Sequence, residues 1–289
     1  MGAPLFSAVQ VRVDVDGVPQ VDGLSVATTG DRVLILAAPR ALFEAAAGLV
    51  RPRRGEVRVR GVDARTAARD AAVAGAPLDP PLPLSWNGRE YVTWSARLAG
   101  HGRRESKERA ADALSRMKLE SIADLRLRKV PTHGRRASVV AAALATGAAT
   151  IVLEDPLRGL PEETGRNFAR VILSATAEVS TLVFAARMSL ASPLAIDADE
   201  ALVLDGGQVV AQGAPAEIAA REHSYAVVVH GRGASFARLA EVRGARVSGQ
   251  GARWIVDLGA SLRTGDLFDM ALSSGTVVLE LRPLSHAFA

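Results

Sequence analysis

A chain of 289 residues that is 48% hydrophobic and 23% charged has enough apolar surface for one large core or two modest ones, and is globular rather than disordered. It contains no cysteine, which excludes disulfide frameworks, thiolate metal sites and cysteine nucleophiles. The net charge of +4 comes with no single basic stripe, so no nucleic acid partner is expected. The start, MGAPLFSAVQVRVDV, has neither the basic head nor the apolar centre of a signal peptide. The longest weakly apolar run, 139–153, is broken by Thr and Gly and is too short to span a bilayer. The expectation is a soluble, cytoplasmic chain that reaches a membrane only through a partner.

In chain order, VQVRVDV (9–15) alternates as a half-buried strand does. DRVLIL (31–36) is a nearly continuous apolar run, as are TIVLE (150–154) and STLVFA (180–185), which is the texture of buried parallel strands. Helices are predicted over 41–50, 90–99, 106–117, 136–145 and 163–173, with a strand over 55–60. Asn87 with Glu90 forms a capping-box pattern, and Glu105 with Arg109 can pair along one helix face. ALVLDGGQVVAQG (201–213) reads as a hairpin turning at Asp205-Gly206-Gly207. Beyond it come a strand (225–230), a helix (235–243), strands at 245–249 and 253–258, a helix (264–273) and a strand (276–283). That order is the split βαβ, ferredoxin-like arrangement. Two domains are expected, 1–220 with a helical subdomain at about 80–135, and a small α+β domain at 221–289.

Five stretches in order carry a family resemblance. AAAGLVRPRRGEVRVRGVDA (45–64), REYVTWSARLAGH (89–101), KVPTHGRRASVVAAALATGAATIVLEDPLRGLP (129–161), ALVLDGGQVVAQGAPAEI (201–218) and a tail ending in LELRP resemble an ATP-binding subunit of an ABC transporter. The tail is similar to that of the drug- and bacitracin-exporter branch. The resemblance implies an ABC-type P-loop NTPase fold, α/β, with a mixed sheet core and a helical subdomain.

At the positions where the family does its chemistry, this chain carries other residues. A phosphate loop, G-x-x-x-x-G-K-[ST], uses glycines to converge backbone N–H groups on phosphates, a lysine for charge and a hydroxyl for Mg²⁺. Here the loop is about four residues short against that pattern. Pro39 falls at the lysine, and Arg40 and Ala41 at the hydroxyl positions. The first lysine of the chain is Lys107. Arg40 is as cationic as lysine, but its fork is bulkier and no cradle orients it. Val15 falls where the resemblance implies an adenine-stacking aromatic, and Leu78 where it implies the metal-watching glutamine. FAARMSLASP (184–193) lacks the switch histidine. Pro131-Thr132-His133-Gly134 replaces the signature serine and glycines, and Pro161 the D-loop aspartate.

Glu154 and Asp155 alone keep charge, with their lengths swapped relative to the Walker B pair. Either a residual metal site survives there, or two carboxylates at a strand end keep a loop solvated and hydrogen-bonded. His133, beside Arg135 and Arg136, reads as a surface or interface contact. Trp86, Tyr91 and Trp94 are either packing of the helical lobe or a docking surface.

Phosphoryl transfer is almost entirely positioning and charge neutralisation, so losing the cradle, lysine, hydroxyl, glutamine and histidine together implies a pseudo-ATPase. No catalytic residue, metal or nucleotide cofactor is then expected. The partners implied are an ABC permease or other membrane subunit, and a second copy or an intact ABC ATPase. Two alternatives stay open: an exporter ATP-binding subunit with an unorthodox site that takes ATP and Mg²⁺, and a soluble regulatory protein derived from an ABC ATPase.

Overall fold

A computed structural model describes residues 2–220, 223–259 and 261–288. In chain order β1 (Phe6–Val15), β2 (Val18–Ala27) and β3 (Arg32–Leu36) lead into α1 (Arg40–Ala46). Then come β4 (Arg54–Val59), β5 (Val62–Asp63), α2 (Ala64–Arg69), β6 (Val73–Ala76), α3 (Gly88–Leu98), α4 (Arg103–Arg116) and α5 (Thr132–Ala145). After these follow β7 (Thr150–Glu154), α6 (Glu162–Ala175), β8 (Ser180–Ala185), α7 (Pro193–Ile196), β9 (Glu200–Asp205), β10 (Gln208–Gly213) and α8 (Pro215–Ala219). The last elements are β11 (Ser224–Gly231), α9 (Gly233–Val242), β12 (Arg246–Gln250), β13 (Arg253–Asp257), α10 (Thr264–Ser273) and β14 (Thr276–Pro283), closed by a 3₁₀ segment, Leu284–Phe288.

The central sheet has the order β10-β9-β3-β8-β7-β6. Strands β9, β3, β8, β7 and β6 are mutually parallel, and β10 is an antiparallel edge. Because side chains alternate along a strand, β3 feeds two cores: Leu34 and Leu36 enter one, Val33 and Ile35 the other. The first core lies under the helices α3 to α6. The second lies under the antiparallel sheet β2-β1-β4-β5 and α1, where Phe184 meets Phe6 and Phe43 edge-on at 6.1 and 6.0 Å. This is the mixed α/β sheet expected of a P-loop NTPase.

The C-terminal sheet is antiparallel, β12-β13-β11-β14, with α9 and α10 packed on it around Phe236, Leu267 and Met270. That strand order is the ferredoxin-like one. The expected division at 220/221 falls on residues 221 and 222, which lie outside the described residues.

Several expectations are corrected. The strand at 18–27, the helices α2, α7 and α8 and the strand β6 were not anticipated, being short or poorly alternating. The helix expected over 41–50 ends at Ala46, because Gly48 turns left-handed (φ +72°) to pass under α2. A Cβ there would sit 2.7 Å from the Ala64 carbonyl. The helix expected from 136 starts at Thr132. Pro131, φ −57°, sits at the preceding position where its missing N–H is harmless. Gly134, inside the first turn, packs so closely that a Cβ would lie 2.7 Å from Val130 Cγ1.

Candidate functional site

In open α/β sheets the carboxyl ends of parallel strands form the crevice where ligands bind. Here the segments leaving β3, β6, β7 and β8 meet at that edge, so residues 37–39, 77–87, 155–161 and 186–192 define the site. The turn after β3 is short, and one of its donors is taken within the chain. Ala37 is left-handed (φ +53°), and its N–H donates to the Ala186 carbonyl at 3.2 Å. Pro39 caps α1 in extended geometry and has no N–H. Ala41 is buried and carries no hydroxyl.

Arg40 points to carboxylates. Its Nε lies 2.9 Å from Glu44 Oε1 and 3.6 Å from Glu154 Oε1. The hydrogen bond to Glu44 and then the charge of Glu154 hold this guanidinium above its ordinary value. Glu154, last residue of β7, is only 9% exposed, and its second oxygen accepts the Leu78 N–H at 3.0 Å. Of the expected solvated, hydrogen-bonded carboxylates, Glu154 has the hydrogen bond to its loop but is not solvated, and that half of the expectation is corrected. Glu154 is a buried tie between β7, the segment after β6 and the start of α1, neutralised from within the chain.

Asp155 differs in every respect. It adopts φ +40°, costly for a residue with a Cβ. Its N–H donates to the Phe184 carbonyl at 2.7 Å, and its Oδ2 accepts the Ala186 N–H at 3.4 Å. Burial pushes the carboxyl up from the usual aspartate value, and the Ala186 N–H, Arg158 and Arg136 oppose that only in part. It opens into a cleft of about 470 Å³ shared with Arg158, Arg187, Ser189 and Ser192.

The other singled-out residues do not join this cluster. Thr132 lines a separate cleft of about 440 Å³ with Leu78, Asp79, Arg128, Arg135 and Arg136. His133 beside it is exposed and Gly134 is buried. Pro161 sits at the position before α6, and Val15 is 43% exposed at the end of β1, paired with Val18. Trp86 and Trp94 meet edge-on at 6.0 Å, with Arg97 6.0 Å from the Trp94 ring. Trp94 is 45% exposed, outside the core, while burial raises the Tyr91 phenol. Among the described residues no three His, Cys, Asp or Glu side chains converge as metal ligands would.

Two features escaped the sequence reading. The Arg40–Glu154 contact had no local signal; the four-residue spacing of Arg40 and Glu44 points only to that pair. Glu200 had none either. It begins β9 buried and collects the N–H groups of Thr29 (2.6 Å) and Gly30 (3.0 Å), the Thr29 hydroxyl (3.2 Å) and the Gln212 amide (2.6 Å), tying the β2–β3 connection and β10 to β9.

No family model matches the chain. The cytochrome c biogenesis ATP-binding export protein CcmA of Sphingopyxis alaskensis is 31% identical over 162 residues, 55% of this chain and 73% of that protein. An ABC transporter ATP-binding protein of Methanopyrus kandleri is 26% identical over 212 residues, 70% of this chain and 78% of that one. Among solved structures, cbiO1 from Clostridium perfringens, part of the ABC transporter complex cbiONQ, superposes with a TM-score of 0.64 at 18% identity. It covers 75% of this chain and 91% of that one. The chain belongs to the ATP-binding subunits of ABC transporters. Among the described residues no helix is long and apolar enough to cross a membrane.

Proposed function

We propose that this chain is a non-catalytic member of that family, a structural or regulatory subunit of a membrane-associated ABC-type complex. The observation that carries the reading is the Arg40 guanidinium against Glu154. A nucleotide with its Mg²⁺ brings positive charge to that carboxylate and asks the turn after β3 for converging N–H donors. In this chain the charge is supplied from within, one donor of the turn is committed to Ala186, and Pro39 offers none. The residues present do not fit a Mg²⁺-triphosphate.

On this reading Walker A is degenerate, and Val15, Leu78, Pro131 to Gly134 and Pro161 are vestigial positions. The chain works at the inner face of the membrane through a permease or other membrane subunit. It pairs with a second copy or with an intact ABC ATPase, in keeping with the exporter-like tail. Residues 1–220 and 221–289 are two domains that share no sheet and are joined by buried contacts.

One observation favours a second reading, an ATP-hydrolysing subunit with an unorthodox site: Asp155 has a raised carboxyl pKa at an open cleft, as a general base can have. Calorimetric titration with Mg²⁺-ATP separates the two. The proposal expects no heat at millimolar nucleotide; a saturating one-to-one isotherm that Asp155→Ala leaves intact but whose turnover it abolishes would establish the second reading.

A further inference from the structure

The segment Leu284–Phe288 leaves the C-terminal sheet and lies against the first part of the chain. Leu284 and Phe288 are 3% and 6% exposed, and they join the core that holds Met188, Leu194 and Ile218. The Ala287 carbonyl accepts the Met188 N–H at 2.9 Å. Met188 lies on the segment leaving β8, two residues past Ala186, whose carbonyl takes the Ala37 N–H and whose N–H reaches Asp155. A cavity of about 280 Å³ is bounded on one side by Ala37, Ala186 and Arg187 and on the other by Arg282, Leu284 and Ala287. At its rim the buried Asp205 takes Arg253 at 2.8 Å and Arg282 at 3.3 Å, both from the C-terminal sheet.

We propose that residues 284–288 are a strap that fixes the segment after β8, and through it the turn at Ala37 and the Asp155 carboxylate. The C-terminal sheet and the candidate site then form one mechanical unit: displacing the sheet, which pulls Ala287 away from Met188, loosens the ends of β3 and β7. The chain of contacts is continuous, with each link a hydrogen bond or a buried side chain. The strap does not depend on whether the chain hydrolyses ATP, so it stands or falls separately from the function proposed above.

Hydrogen exchange of the full-length chain tests it, because an amide that loses its acceptor exchanges faster where the local opening becomes easier. In the double variant Leu284→Ala/Phe288→Ala, the peptide covering 185–192 is expected to exchange at least about tenfold faster. Peptides from α5 and β4, whose backbones share no hydrogen bond with the strap, are expected to keep their wild-type rates. If the double variant does not fold, Phe288→Ala alone is read in the same way. Unchanged exchange at 185–192 in a folded variant overturns the proposal, and so does acceleration spread equally over α5 and β4, which would make the segment ordinary core.

Discussion

Removing the Arg40 cation while keeping an unbranched stem, as in Arg40→Met, leaves Glu154 nearly buried with only the Leu78 N–H as partner. At 3.6 Å and an effective dielectric constant near 20, the attraction between the two charges is about 4–5 kcal/mol. The guanidinium is 57% exposed, so solvent screening takes more than half of that and leaves about 1–2 kcal/mol. The i,i+4 pair with Glu44 adds about 0.3–0.5 kcal/mol that Glu154 does not share. Denaturant unfolding of wild type, Arg40→Met, Glu154→Gln and the double variant gives a cycle in which the Glu44 part cancels. The expected coupling is about 1–2 kcal/mol. A coupling below about 0.3 kcal/mol would mean that Arg40 lies near Glu154 without compensating it. The charge argument for the site would then fail.

Glu200→Gln removes the negative charge that four donors share, and is expected to cost about 1–3 kcal/mol at pH 7 in thermal or denaturant unfolding. Burial raises the Glu200 carboxyl, but its hydrogen bonds to Gln212, Thr29 and Gly30 outweigh that and bring it below the ordinary 4.5. Its stabilisation is therefore present above that value and lost as pH falls through the lower folded value, so the gap to Glu200→Gln closes in acid. Asp155 has the opposite sign. Its folded value lies above the ordinary 3.8, so ionising it costs stability as pH rises from there through the folded value. Asp155→Asn is accordingly expected to gain on wild type between pH 4 and neutrality and to match it in strong acid, and a constant difference across that range would refute the assignment. Gly55, at φ +74°, lies against the Val9 and Gln10 carbonyls, and a Cβ there would come within 2.2 Å of the first. Gly55→Ala is expected to lose at least about 2 kcal/mol in denaturant unfolding, from left-handed strain plus displaced backbone.

The strands β3, β7 and β8 were legible because two-sided burial writes itself as an unbroken apolar run, and the C-terminal order of strands and helices because its periods switch cleanly. Short elements such as β6 and α2 were not, since four or six residues hold too little periodicity to stand out. At the site, only the residue types were readable: Pro39 has no N–H to offer and Ala41 no hydroxyl.

Their relations were not readable. Whether Arg40 reaches outward to a ligand or inward to Glu154 depends on how β7 and α1 sit side by side, a contact between residues far apart in the chain. The same holds for Glu200 gathering donors from the β2–β3 connection and from β10, and for Ala287 meeting Met188. Local backbone preference and burial pattern are short-range and leave a trace at each position. Charge pairing and strap contacts are set by distance in space, so only the assembled sheets decide them.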